Sequence, residues 1–84
     1  MDDLTKLPNI GEVLAEKLSG IGVTNYEELA AVGSVEAVNR IGQTDISACY
    51  NMLYAIEGAI RGIRWHAIPK DERDTLRRRF DLCI

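Results

Sequence analysis

Residues 45–64 read Asp45-Ile46-Ser47-Ala48-Cys49-Tyr50-Asn51-Met52-Leu53-Tyr54-Ala55-Ile56-Glu57-Gly58-Ala59-Ile60-Arg61-Gly62-Ile63-Arg64. Within this stretch Ile46, Cys49, Leu53, Ile56, Ile60 and Ile63 recur three and four positions apart, the period of one face of an α-helix. Ala48, Met52, Ala55, Ala59 and Gly62 form a second row beside that stripe. An apolar surface this broad places the helix at the centre of the core and makes Cys49 a core residue. Gly58 and Gly62 lie one turn apart, where each costs about 1 kcal/mol relative to Ala. Close approach of another backbone is the feature expected to offset that cost.

Outward from this helix the pattern stays helical. No stretch sustains period-two alternation of apolar and polar residues, so the fold class is all-α. A first helix is expected over 11–19, with Asn9 as cap, Glu12 three residues on, and Val13, Leu14 and Leu18 at helical spacing. Gly20-Ile21-Gly22 ends it. A second helix starts at Thr24, where Thr24-Asn25-Tyr26-Glu27 reads as a capping box, and stops near Gly33. Ser34 caps a short third helix ending near Gly42. Past the long fourth helix, Ile68-Pro69-Lys70-Asp71-Glu72 opens a fifth, with Pro69 at its first position and acids in its first turn. Leu76, Phe80 and Cys83 give it an apolar edge, while Trp65 and Ile68 fill the corner between the last two helices. His66 sits in the same corner with no nucleophile or ligand cluster beside it, a structural rather than catalytic setting.

With 84 residues, 46% of them hydrophobic, the chain makes one domain spanning 1–84. Its net charge of −3 excludes a protein that coats nucleic acid by bulk electrostatics. That figure averages two unlike parts: residues 1–57 carry −6 and residues 58–84 carry +3, the latter including Arg77-Arg78-Arg79. The arginine run reads most simply as the solvated face and last turn of a helix, where cations complement the macrodipole. Two cysteines are too few for a disulfide framework and share no metal-ligand spacing with His66, so neither metal nor cofactor is expected. The start lacks an apolar leader, and no run approaches the roughly 20 apolar residues of a membrane span. A cytoplasmic setting without membrane contact is therefore expected.

One local motif carries potential binding chemistry. In Leu7-Pro8-Asn9-Ile10-Gly11-Glu12-Val13-Leu14-Ala15-Glu16-Lys17-Leu18, Asn9-Ile10-Gly11 occupies a hairpin and Ala15 a small position, followed by Leu18. The stretch resembles the helix-hairpin-helix pattern, in which a tight turn presents backbone N–H groups at a helix N-terminus. Such groups can hold a phosphate whatever the base sequence. Gly20-Ile21-Gly22-Val23-Thr24 is read as repeating the turn one helix later. The candidate phosphate or DNA contacts are accordingly Lys6, Asn9, Ile10, Gly11, Lys17, Gly20 and Gly22. Asn stands where the pattern has its first glycine, however, and Glu12 and Glu16 put negative charge where a phosphate would dock. The expected architecture is a compact five-helix domain of helix-hairpin-helix or SAM-domain-like character.

The run Asn51-Met52-Leu53-Tyr54-Ala55-Ile56-Glu57-Gly58-Ala59-Ile60-Arg61-Gly62, followed by Trp65 and Ile68-Pro69, resembles the C-terminal domain of TfoX/Sxy-type proteins. Leu7-Pro8-Asn9-Ile10-Gly11, Ile21-Gly22-Val23, Glu28-Leu29 and Gly33 fall in the family's order, so the resemblance covers nearly the whole length. Founding members of that family are bacterial regulators of competence for DNA uptake, usually with a further domain ahead of this one. A stand-alone copy is expected here, and the resemblance brings no catalytic residue. Acidic balance and the absence of a dense basic patch favour a non-catalytic interaction module that binds a protein partner or a second copy of itself, and the resemblance ties it to transcription or competence regulation in bacteria. Tyr50, Asn51, Tyr54, Glu57 and Arg61, on the less apolar side of the long helix, are the candidate interface, with exposed tyrosines as its anchors. Glu57 and Arg61 also read as an ordinary i, i+4 pair, or Glu57 as a cap for hairpin amides. The alternative is sequence-independent DNA binding through the hairpin turns, which the acidic hairpin disfavours. No small-molecule substrate is evident.

Overall fold

The structure, a computed structural model, describes residues 4–43 and 50–82. Among the described residues five α-helices follow in order: α1 (Glu12–Gly20), α2 (Tyr26–Val32), α3 (Ser34–Gly42), α4 (Tyr50–Arg61) and α5 (Lys70–Leu82). One 3-10 turn (Leu4–Lys6) precedes α1, a second (Trp65–Ala67) joins α4 to α5, and there is no strand among the described residues. The proposed start of the long helix at Asp45, with Ile46, Ala48 and Cys49, lies outside the described residues, as does Cys83. From Tyr50 onward Leu53 and Ile56 of the main stripe are fully buried, as is Ala59 of the second row, whereas Ile60 and Ile63 are half-buried. Around them close Leu18 of α1, Val23, Leu29 of α2, Val38 and Ile41 of α3, and Ile68 ahead of α5. Each large side chain of this set contributes about 1.5–3 kcal/mol by leaving water.

The two glycines of the long helix have different roles. A Cβ on Gly58 would stand 2.6 Å from Nδ2 of Asn9, 2.8 Å from the Ile63 carbonyl and 3.2 Å from Cα of Trp65, so close approach does explain it. Gly62, in contrast, lies just beyond the helix with φ of 75°. There Gly62 N–H donates to Ala59 O and Ile63 N–H to Gly58 O, the paired bonds of a Schellman cap. The long helix thus stops at Arg61 rather than Arg64.

Three caps sit one or two residues from their expected places. Gly11, in extended conformation and without a side-chain bond, is the N-cap of α1, because the Asn9 side chain is used elsewhere. Asn25 rather than Thr24 caps α2: its Oδ1 accepts from Glu28 N–H at 2.8 Å, and Glu28 Oε1 accepts from Thr24 N–H at 3.0 Å. Gly33, at φ of 84°, both closes α2 and caps α3, which leaves Ser34 as the first residue inside that helix. Pro69 likewise sits just outside α5, its carbonyl accepting from Arg73 N–H at 3.0 Å.

Candidate functional site

The first hairpin begins as a turn over Leu7-Pro8-Asn9-Ile10, closed by Ile10 N–H to Leu7 O at 3.5 Å. Proline in its second position and a left-handed residue in its third are the signature of a type II turn. Asn9 has φ of 69°, and Asn is the side-chain-bearing residue that best tolerates that region, which is why it can stand in a glycine position. Its amide then does what glycine could not. Nδ2 donates to Ile63 O at 2.9 Å and, more weakly, to Ala55 O at 3.4 Å, while Oδ1 accepts from Trp65 N–H at 3.2 Å. Asn9 therefore pins the hairpin to the C-terminal end of α4 and is not presented to a ligand. Ile10 is buried at 5% exposure, anchoring the turn.

Of the remaining hairpin candidates, Gly11 is exposed and opens α1, where the first backbone bond is Ala15 N–H to Gly11 O. Lys6 is exposed and Lys17 half-buried. The second turn does not repeat the first. Ile21 N–H and Val23 N–H both donate to Leu18 O, and Gly22 N–H donates to Ser19 O. With Gly22 at φ of 88°, this is a Schellman cap whose amides point back into α1. Gly20 is the last residue of α1, so neither glycine of this turn offers the open amides expected of a second hairpin.

The five interface candidates separate onto four surroundings. Tyr54 is buried at 8% exposure and stacks on Trp65 with ring centroids 6.2 Å apart, correcting the expectation of an exposed anchor. Tyr50 is half-buried: its ring meets Phe80 edge-on and lies under the Arg77 guanidinium at 4.4 Å, and its hydroxyl donates to Asp81 at 2.7 Å. That hydrogen bond to a carboxylate pushes the Tyr50 hydroxyl pKa up. Asn51 is exposed and faces α1.

Glu57 and Arg61 do form the i, i+4 pair, Nε to Oε2 at 2.7 Å, and the guanidinium continues to Glu72 of α5, also at 2.7 Å. The other Glu57 oxygen accepts from the Ser34 hydroxyl at 2.7 Å. Glu57 thus meets a buried hydroxyl at the start of α3 rather than hairpin amides. Burial pushes its carboxyl pKa up, but the Ser34 hydroxyl and Arg61, with Arg79 nearby, more than offset this and hold it below the usual range. Arg77, Arg78 and Arg79 are all exposed on α5, as expected of a solvated helix face, and two of them also have neighbours across helices, Arg77 at Tyr50 and Arg79 near Glu57.

Two features escaped the sequence. Tyr26 reaches from α2 to donate its hydroxyl to Ile60 O at 2.8 Å, at the end of α4. More consequential is an open groove of about 530 Å³ between the start of α1 and α4. Leu14, Met52 and Ala55 form its apolar floor, Glu12, Lys17 and Asn51 lie on its rim, and Val13 stands beside them at 69% exposure. The apolar i, i+3 row of Met52 and Ala55 was visible in the sequence; that α1 leaves it uncovered was not. Among the described residues no cluster of three His, Cys, Asp or Glu could hold a metal, and no helix is long and apolar enough to cross a membrane.

No curated protein matches this chain. Among solved structures it is similar to an uncharacterized protein from Listeria monocytogenes in a triclinic crystal form, at 45% identity and TM-score 0.86, over 89% of this chain and 85% of that one. A second similar structure, a Listeria monocytogenes protein of unknown function in a tetragonal form, gives 41% identity and TM-score 0.87 over 95% of this chain and 99% of that one. The family model described as the TfoX C-terminal domain matches residues 1–80. The chain, from its hairpin through the pinned end of α4 to α5, belongs to the TfoX C-terminal domain family.

Proposed function

We propose that this protein is a non-catalytic, cytoplasmic protein-interaction module acting in bacterial transcription or competence regulation, as its family membership suggests. The observation that carries the reading is the groove between α1 and α4. Val13 leaves most of its surface in water beside an apolar floor, with polar and charged side chains around the edge. This is the pattern of an interface core with its rim. Val13, Asn51 and the groove floor thereby take the place that the tyrosines held in the sequence reading, with Glu57 and Arg61 joining helices within the chain.

Sequence-independent DNA binding is the second reading, favoured by the open first turn of α1 at Gly11, which has no side-chain cap. Glu12 in that same turn and Glu16 one turn on oppose a phosphate there. A photo-crosslinking residue at Val13, carried in the full chain in bacterial cells, tests the first reading. It is expected to yield protein adducts that unlabelled chain competes away and the Val13→Glu chain does not, whereas the same probe at Lys70 yields none. Titration of labelled duplex DNA at low salt tests the second. Saturable binding at micromolar protein that weakens steeply with salt, with no adduct at Val13, overturns the protein-interaction reading.

A further inference from the structure

The corner between α4 and α5 joins aromatic rings to unpaired cations. Residues 58–70 hold three cations, Arg61, Arg64 and Lys70, and no carboxylate. Arg61 is taken by Glu57 and Glu72, whereas Arg64 and Lys70 are exposed and have no ion-pair partner among the described residues. Between them Trp65 and His66 stand in the 3-10 turn, their ring centroids 3.9 Å apart and their planes 30° from parallel. Trp65 in turn stacks on the buried Tyr54. Arg73 of α5 brings its guanidinium carbon to 5.9 Å from the Trp65 ring centroid, and its buried Nε has no hydrogen-bond partner among the described residues. The turn itself is fixed: Asn9 Oδ1 holds Trp65 N–H, Ala67 N–H donates to Arg64 O, Ile68 N–H donates to Trp65 O, and Ile68 is fully buried. His66 is exposed, so the stack ends in a ring open to solvent on a support already ordered before anything binds.

We infer that this corner binds single-stranded nucleic acid, one base stacking on the outer face of His66 while Arg64, Lys70 and Arg73 take the neighbouring phosphates. Stacking of this kind accepts any base, because every base has a π-face. An acidic peptide satisfies the cations and leaves the stack unused, and in a duplex the base faces are covered by their neighbours. Asp71 and Asp74 lie next to Lys70 and one turn from it on α5, and the whole chain carries −3, so the charge available to a strand is small. About two or three phosphate contacts and one stacked base make the complex weak, with Kd on the order of 100 µM at low salt. The surface shares no residue with the α1–α4 groove and so stands independently of the protein-interaction reading.

Titration of the full chain with an oligothymidylate of about 12 nucleotides tests this, followed by the fluorescence of Trp65, the only tryptophan in the sequence. The expected result is saturable quenching that is about tenfold weaker for an abasic strand of the same length. His66→Ala weakens binding about tenfold and His66→Phe restores it to within about twofold, each variant keeping the parent's helical circular dichroism. Arg64→Ala and Lys70→Ala in one chain reduce the slope of log affinity against log salt by about 1.4, the share of two phosphate contacts on a single strand. Absence of binding at millimolar strand, equal affinity for the abasic strand or for oligoglutamate, or affinity indifferent to His66→Ala overturns the proposal. Binding that is lost with Lys6→Glu and keeps its strength with His66→Ala puts the strand at the first turn of α1 and overturns it as well.

Discussion

Asn9 decides more of this structure than its half-buried position suggests. A left-handed turn residue, two carbonyl acceptors and one backbone donor all converge on a single short amide. The opposing backbone can come this close only because Gly58 has no side chain. Replacing Asn9 by Gly keeps the conformation and removes the bonds, costing about 2 kcal/mol; Asn9→Ala adds the left-handed penalty and costs about 3 kcal/mol. Urea unfolding of both variants measures the difference, and equal values would show that the conformation contributes nothing. Gly58→Ala sets helix propensity against collision. Ala is better by about 1 kcal/mol in a free helix, yet its methyl group meets backbone and amide on three sides, so the variant is expected to lose about 2 kcal/mol net. Gly62→Ala has open space around it and loses only about 1 kcal/mol, through its backbone conformation. Denaturant midpoints should place Gly62→Ala well above Gly58→Ala.

Between elements, polar side chains set relative positions that apolar burial alone leaves adjustable. Ser34 on α3, Glu57 and Arg61 on α4, and Glu72 on α5 form one chain of hydrogen bonds across three helices. The Ser34–Glu57 link is the better shielded end, since Ser34 is buried and the Glu57 side chain is only 18% exposed. A double-mutant cycle with Ser34→Ala and Glu57→Gln should give a coupling of about 1–2 kcal/mol by equilibrium unfolding. Arg61–Glu72, open to solvent on both sides, should give less than about 1 kcal/mol. Local reading of the sequence placed the helices well and their caps less well. Thr24 and Asn25 both cap helices readily, and the residue that discriminates is Glu28, three beyond Asn25 and able to reach back to Thr24. Pro8-Asn9 carried the turn signal, but the reach of Asn9 to Ile63 and Trp65, more than fifty residues on, has no local signature. The tyrosines illustrate the same limit: helical periodicity put Tyr54 off the main stripe, yet Trp65 stacks against that side and Tyr54 is buried.

At the scale of the whole molecule, acidic and basic halves do not simply repel and attract as blocks: Glu36 pairs with Arg40 inside the acidic half, and Arg61 pairs with both Glu57 and Glu72 where the halves meet. The all-helical architecture was legible from the period of residues 45–64 and the breaks around it; the open groove was not, since it depends on how α1 lies against α4. Two hydrogen-bonded carboxylates contribute to acid sensitivity. Glu28 is held below the usual carboxylate range by the backbone N–H of Thr24, then by that residue's hydroxyl, with Asn25 adding. For Glu57 burial acts upward, but Ser34 and Arg61 carry the balance downward. A folded-state value below the unfolded one, about 4.3 for Glu, means that the charged form stabilises the fold fully above that pH. The contribution is then lost as pH falls from there through the folded-state value. Unfolding free energy measured from pH 7 down to 2.5 is therefore expected to be level at first and to decline below about pH 4.5. Glu57→Gln should be less stable than the parent at pH 7 and approach it at the acid end, giving a shallower decline; Glu28→Gln should do the same. The two substitutions sit on separate networks, α2's cap and the α3–α4–α5 link, so the double variant should flatten the curve by the sum of the single effects. Curves for all four proteins that run parallel through the acid range would show that neither carboxylate is stabilised in the fold.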